Sequence, residues 1–507
     1  MTRVVMLSVG SRGDAEPYCA IAQNLLQHFP RTGVKIDLFL QTNLQHLGSP
    51  FQDNSSFRLF RFPFSSDDFY KASTGFRVAP NNPHPDPRMK HVENFATIVR
   101  ELVLPCLAQV LEIVDAALSS QERVVIITSA FTRSLAFLIA HARENVKVIL
   151  LHLQPLLPNR IFPSYRTSRQ AFVRVCLETS TNVADEASGD TSDLCEESYW
   201  RIEDALEEFF LKMRSGRVYR ECFGTTSEVL NWRTLQNMLT GKHEQVWIVN
   251  SYSNHLVPPL AGSPGVGPRV FDIGPVADDY VPTGKENMDP MLRSFLGDDF
   301  AIDDRKPLCI GFGSMPCPNV GIILEAIKIL KERAVLVGDV FLQIPESHPA
   351  RRYKRICCVP SVPYPLFLPR CSMMICHGGI GVVQACLRAG VPSIISPLMG
   401  DQFALAELVE AKGYGVKCGS KLSDITVEDI VQAVHNGRIC ATRCQDLARK
   451  IREDTSTGPE KMANLVLELL ESATRYSEPE STRQSSIHSA QRANAHASEP
   501  LSSNTRI

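Results

Sequence analysis

His377-Gly378-Gly379-Ile380-Gly381 sets an imidazole ahead of three residues with no side chain to hold a ligand off the backbone. Such a turn suits the start of a helix, where N–H groups without partners and the positive end of the helix dipole favour phosphate. His377 adds a hydrogen-bond donor for a phosphate oxygen. The chemistry expected of the turn is anion binding. Further on, Gly400-Asp401-Gln402 offers a carboxylate and an amide suited to the hydroxyls of a polyol. Near the start of the chain, Gly10-Ser11-Arg12-Gly13-Asp14 is another glycine-bearing turn, and Asp14 is well placed to cap a helix.

These residues need elements to position them. Ser372 to Cys376 is a short apolar run that predicts a strand buried on both faces and ending at His377. A helix follows over about Val382 to Ala389, stops at Gly390, and passes through Val391-Pro392 into a strand at Ser393 to Ser396. The Gly400-Asp401-Gln402 triplet then lies at a strand's carboxyl end, where open α/β sheets collect ligands. Val4 to Val9 predicts a strand turning through Gly10–Asp14 into a helix with Tyr18, Ile21, Ala22 and Leu25 on one face. Strands at Lys35 to Leu40, Phe57 to Arg61, Val124 to Ile127, Val148 to His152 and Val246 to Asn250 continue the alternation. A second series begins at Lys306 and includes Ala334 to Val337, Phe341 to Ile344 and Ile356 to Val359. His152 reads as a core histidine bonded to backbone.

HGGIG, then LRAGVPSIISP, then GDQ at this spacing resembles the donor-binding signature of the GT-B nucleotide-sugar glycosyltransferases, and within them the sterol 3-β-glucosyltransferases and related antibiotic glycosyltransferases. The GSRGD opening is similar to the family's GSRGDVQPY-type turn, Ile310–Ser314 to its IGFGS element, and Val362–Cys371 to its VPHDWLFPRC segment. The resemblance implies an α/β chain of GT-B fold, two Rossmann-like doubly wound parallel-sheet domains facing across a cleft. It implies an inverting, metal-independent transfer of a hexose, glucose above all, from a UDP-sugar to a sterol or other lipidic hydroxyl. UDP-glucose is then a co-substrate, and no cofactor is implied. Asp14 becomes the candidate base, since the attacking hydroxyl must lose a proton and a carboxylate in a partly desolvated cleft can take it. The resemblance makes Ser11, Arg12, Gly313, Ser314, Val362, His377, Gly379, Gly381, Val382, Asp401 and Gln402 donor contacts. The reading of Asp14 as a simple helix cap stands beside that of base, and one residue can fill both roles.

Several positions depart from the family's pattern. Cys376 replaces the first histidine of HHGGAGT, and Val382 replaces the hydroxyl residue after the last glycine, which bonds phosphate in the family. A charge-assisted hydrogen bond contributes about 1.5–3 kcal/mol, so its loss weakens donor binding by one to two decades. After GDQ the common Pro-Phe-Trp is replaced by Phe403-Ala404-Leu405, which reshapes the floor under the sugar, and Tyr364 stands in place of a histidine. Two alternatives therefore stay open: transfer to a soluble aglycone, and a GT-B binding module that no longer turns donor over.

The 507 residues exceed one core, which predicts an acceptor-binding domain over 1–275, a linker over 276–305, a donor domain over 306–472 and a disordered tail over 473–507. The stretch 179–197 is acidic and small, as a surface insertion would be. Proline-rich 81–87 reads as a loop, and Tyr199 to Met213 as an amphipathic helix whose greasy face suits core or a membrane surface. A formal net charge of -2 gives no global attraction to nucleic acid. Fifteen cysteines in a chain opening directly into a strand read as thiols in a reducing cytosol, and their irregular apolar settings argue against zinc. No apolar run reaches the ~18 residues of a membrane span, so any membrane contact is expected to be peripheral.

Overall fold

The computed structural model of the chain describes residues 2–28, 33–66, 68, 102–154, 232–262, 266–276, 289–296, 306–313, 317, 320–342, 344–345, 347–348, 353–398, 400–453 and 457–476. The acidic insertion, the 81–87 loop, the amphipathic stretch 199–213, Ser314 and the tail after 476 lie outside them. Two compact units form: Met1–Met462, which holds both sheets, and a second that begins at Ala463 and is described as far as Tyr476.

The first sheet has seven parallel strands in the order β3-β2-β1-β4-β5-β6-β7. They are β1 (Thr2–Leu7), β2 (Val34–Gln41), β3 (Phe57–Phe62), β4 (Arg123–Thr128), β5 (Val146–His152), β6 (Val246–Asn250) and β7 (Val270–Asp272). The second has six, β10-β9-β8-β11-β12-β13, built from β8 (Leu308–Gly311), β9 (Ala334–Val337), β10 (Ile356–Val359), β11 (Met373–Cys376), β12 (Ser393–Ile395) and β13 (Gly415–Lys417). Its pairings are parallel as well. Every residue of β8, β9, β11 and β12 is buried, which is why these strands read as unbroken apolar runs rather than alternating ones.

The described α-helices, in chain order, are α1 (Arg12–His28), α2 (Gln45–Gly48), α3 (Leu107–Ser119), α4 (Arg133–Ala142), α5 (Trp232–Leu239), α6 (Pro290–Leu296) and α7 (Val320–Leu330), followed by α8 (Asp339–Leu342), α9 (Tyr364–Phe367), α10 (Ile380–Ala389), α11 (Gln402–Ala411), α12 (Val427–Gly437), α13 (Ala441–Arg452) and α14 (Gly458–Tyr476). The strand expected at Phe341 to Ile344 is absent; its place is taken by α8, entered through Gly338 at φ +122 and a bond from the Phe341 N–H to the Gly338 carbonyl. A four-residue apolar run does not distinguish a strand from a buried helical turn, and Phe341 is buried from the turn. Helix α6 lies inside the stretch expected as linker, with Leu292 and Leu296 buried.

Each sheet has its own core, one gathered by Phe39, Phe62, Phe137 and the β1 and β4 valines and isoleucines, the other by Phe312, Phe341, Ile375 and Ile394. A third buried cluster joins the two halves. Ile248, Tyr252, Leu256, Val257 and Leu260 enter it from the first half, and Val383, Leu387, Leu405 and Leu408 from the second.

Candidate functional site

In the first sheet strand order reverses between β1 and β4, and in the second between β8 and β11. At such a switch point the neighbouring loops leave toward opposite faces and open a crevice at the strands' carboxyl ends. The Gly10–Asp14 turn follows β1, and the His377 turn follows β11, so both candidate motifs stand at switch points.

The β1 turn is held from three sides. The Gly10 N–H donates to Gln41 Oε1 at 2.7 Å, its carbonyl accepts from Ser66 Oγ at 2.9 Å, and Ser8 Oγ donates to the Asp14 carbonyl at 3.1 Å. Asp14, in the first turn of α1, receives the Ser11 N–H at 2.7 Å and the Ser11 hydroxyl at 2.8 Å, both on Oδ2. This is the cap, and it engages one carboxylate oxygen. Burial raises the Asp14 pKa and outweighs the two Ser11 bonds that lower it. A half-buried carboxylate made more basic in this way is suited to accepting a proton. Beneath it Tyr18 is fully buried, its acidity pushed well down by burial and then by the Asp14 charge. Gly10, at φ +142, leaves the space that Asp14 fills: a Cβ there would stand 2.4 Å from Asp14 Oδ2.

The β11 turn is built around the imidazole. Gly378, at φ +85, passes against β12, where a Cβ would meet Ile395 Cγ2 at 2.4 Å and lie 3.6 Å from the Gln402 carbonyl. The two loops of the second sheet thus abut. A Cβ at Gly379 would lie 2.7 Å from His377 Nε2, and one at Gly313, φ +58, would lie 3.5 Å from Cε1. His377 is therefore gripped between glycines of two βα turns. Burial lowers its pKa to about 4, so the ring is neutral at pH 7 and presents one N–H and one lone pair. Its Nδ1 is buried without a hydrogen-bond partner. Cys376, directly before it, is buried, and its thiol is pushed up to about 12 by burial, so it supplies no charge.

Helix α10 begins with Gly379 as its N-cap, without a side-chain cap. Its first intrahelical bond runs from the Val383 N–H to the Gly379 carbonyl, which leaves the amides of Ile380, Gly381 and Val382 as first-turn donors. A Cβ at Gly381 would meet nothing within 4 Å, so the helix is open to its surroundings at that position. Asp401 and Gln402 are both buried at the head of α11, and Gln402 Oε1 accepts the Leu398 N–H at 2.8 Å. Val362 and Tyr364 are half-buried against the shared cluster.

Residues beside both switch points pack on one cluster: Ala130, beyond β4, and Val362, Tyr364 and Val382 of the second half. Tyr364, its acidity lowered chiefly by burial, also feels the charge of Glu16 on α1. Arg12 Nε is bonded to Glu16 at 2.6 Å, an exposed pair one turn apart. The structure brings His377, Gly379, Gly381, Val382 and Gly313 together, and groups Ser11 with Asp14. The supporting Gln41, Ser66 and Tyr18 carry no mark of the site in the sequence.

Solved structures with this architecture cover nearly the whole chain. A UDP-glucose:anthocyanidin 3-O-glucosyltransferase in complex with UDP matches with a TM-score of 0.58 at 18% identity, over 93% of this chain and 99% of that one. A UDP-glucosyltransferase from Polygonum tinctorium matches with a TM-score of 0.58 at 14% identity, over 93% and 99%. The fold is GT-B. Within the GT-B chain, residues 329–470 match the family described as erythromycin biosynthesis protein CIII-like, C-terminal domain. By sequence the chain is similar to a sterol 3-beta-glucosyltransferase of Arabidopsis thaliana, 28% identical over 193 residues, 36% of this chain and 30% of that protein. A Neosartorya fischeri sterol 3-beta-glucosyltransferase is 31% identical over 164 residues, 30% of this chain and 11% of that protein. The matched stretch thus spans no more than 30% of either relative's length.

Proposed function

We propose that the protein transfers a hexose, glucose in the first instance, from a UDP-sugar to a sterol or other lipidic hydroxyl. The observation that carries this reading is the pairing of a carboxylate made more basic by burial with a turn of bare amides and a neutral imidazole, each at the switch point of its own sheet. Asp14 takes the acceptor's hydroxyl proton as that oxygen attacks the anomeric carbon from the face opposite the diphosphate, inverting the centre. The bond from the anomeric carbon to the diphosphate oxygen breaks, and UDP leaves with the electron pair. The first-turn amides of α10 and the N–H of His377 meet the charge that develops on that oxygen. In this reading Arg12, Gly313, Ser314 and Val362 contact the donor, Ser11 serves it by holding Asp14, and Asp401 and Gln402 hold its sugar hydroxyls. The likeness to sterol 3-beta-glucosyltransferases supports the lipidic acceptor. Among the described residues no helix is long and apolar enough to cross a membrane.

Incubation of the purified protein with UDP-glucose, UDP-galactose and UDP-N-acetylglucosamine against a panel of sterols and soluble aglycones tests the reading, with EDTA present in one arm. We expect a β-linked sterol glucoside, EDTA without effect, and a loss of about 10²–10⁴-fold in rate for Asp14→Asn with UDP uptake retained. Turnover surviving Asp14→Asn removes Asp14 as base. Val382 and Phe403-Ala404-Leu405 favour a second reading, a binding module; tight UDP uptake with no turnover of any pair would establish that instead.

A further inference from the structure

A buried glutamine joins the two halves of the site. Gln384 lies on the buried face of α10, where the helix is otherwise apolar, and its Oε1 accepts the Ser253 N–H at 2.8 Å across 131 residues of sequence. Ser253 belongs to the irregular segment that follows β6, and its amide is buried and outside any sheet ladder. Without Gln384 that N–H would be buried with no acceptor, a costly state that a polar side chain at this position prevents. Around the bond the same segment is fastened to the second half by Tyr252, Leu256 and Val257, which pack in one cluster with Val383 and Leu387. Lys412 Nζ adds a bond to the His255 carbonyl at 3.2 Å. From the first-turn amides of α10 to Gln384 is less than two helical turns, roughly 3–7 Å along a rigid rod. At the other end of the tie, the Ser251 N–H bonds the His152 carbonyl at 2.9 Å, and Asn250 Nδ2 bonds Asp272 at 2.9 Å, so the segment is anchored on the carboxyl ends of β5, β6 and β7.

We propose that Gln384 is a positioning residue that passes occupancy of the His377 turn to the first-half segment Ser251–Leu260, holding the acceptor side in register with the donor. Any shift of α10 when its amides take up a diphosphate must move the Ser253 backbone with it, because the hydrogen bond and the packed side chains give the helix no slack relative to that segment. This inference rests on the reading of the turn as a diphosphate seat.

The test compares the full-length wild type with Gln384→Met, which keeps the length and loses the acceptor atom, and Gln384→Glu, which keeps an acceptor. UDP affinity is read by calorimetry, turnover by product formation, and the backbone by hydrogen exchange of peptides covering residues 251–257 with and without UDP. In the wild type, UDP should slow exchange in that peptide at least tenfold. In Gln384→Met, UDP affinity should stay within threefold, the UDP-dependent protection should vanish, and kcat should fall at least tenfold with little change in acceptor KM; Gln384→Glu should restore both. Protection that persists in Gln384→Met, or an unchanged kcat, overturns the inference. So does a failure of Gln384→Glu to restore either property, since a purely structural plug would behave that way. If the wild type takes up no UDP, the reading of the seat fails and this inference with it, whereas uptake without transmitted protection sinks the inference alone.

Discussion

Neutral His377 makes the stability of the second half depend on pH in a direction that can be worked out in advance. Burial lowers its pKa from the ordinary 6.5 to about 4. The unfolded chain therefore binds a proton between these values that the folded chain refuses, and stability contributed by the neutral ring is present above pH 6.5 and lost as pH falls toward 4. With these two values, one site of this kind loses about 2 kcal/mol between pH 7 and pH 5. His377→Asn keeps an N–H donor and removes the titration. Urea unfolding of both proteins at pH 7, 6 and 5 reads the effect, and because every other titrating side chain is common to the two, the difference in pH dependence isolates residue 377. The wild type should lose about 2 kcal/mol more than His377→Asn over that interval. Parallel curves would show that the ring is protonated without penalty, and so is solvated rather than gripped between Gly313 and Gly379.

Two further substitutions separate the halves of the site. Gly10→Ala places a Cβ 2.4 Å from Asp14 Oδ2 at a φ of +142, so the carboxylate must move; turnover should fall as far as in Asp14→Asn while UDP uptake, measured by calorimetry, stays unchanged. Val382→Thr sets a hydroxyl of nearly equal volume at the third helical position of α10, among first-turn amides. UDP affinity should tighten about 10–100-fold, the share of one charge-assisted bond, and unchanged affinity would place the diphosphate elsewhere.

The parts of this molecule that were legible in the sequence are those fixed by what a residue lacks. Buried parallel strands have no polar alternation, and β1, β8, β11 and β12 show as apolar runs for that reason. The His377 turn shows as glycines because Ile395 and the imidazole occupy the space where side chains would stand. What the sequence hid was either too short to have a period, as with α8, or depended on partners far along the chain. Nothing in Gln41 announces that it accepts the Gly10 N–H, nor in Ser66 that it holds the Gly10 carbonyl.

Ser11 shows the same limit from the other direction. In sequence it is a hydroxyl in a glycine turn, available to a phosphate; in the structure its hydroxyl and amide both point at Asp14 Oδ2. Ser11, by donating twice to that oxygen, therefore opposes the rise in Asp14 basicity that burial causes. Capping and base chemistry are then not rival readings of Asp14. With Oδ2 taken up by the cap, Oδ1 accepts no hydrogen bond among the described residues and is the oxygen left for an incoming hydroxyl, so the local rule that makes Asp favourable at a helix start also fixes which oxygen does the chemistry.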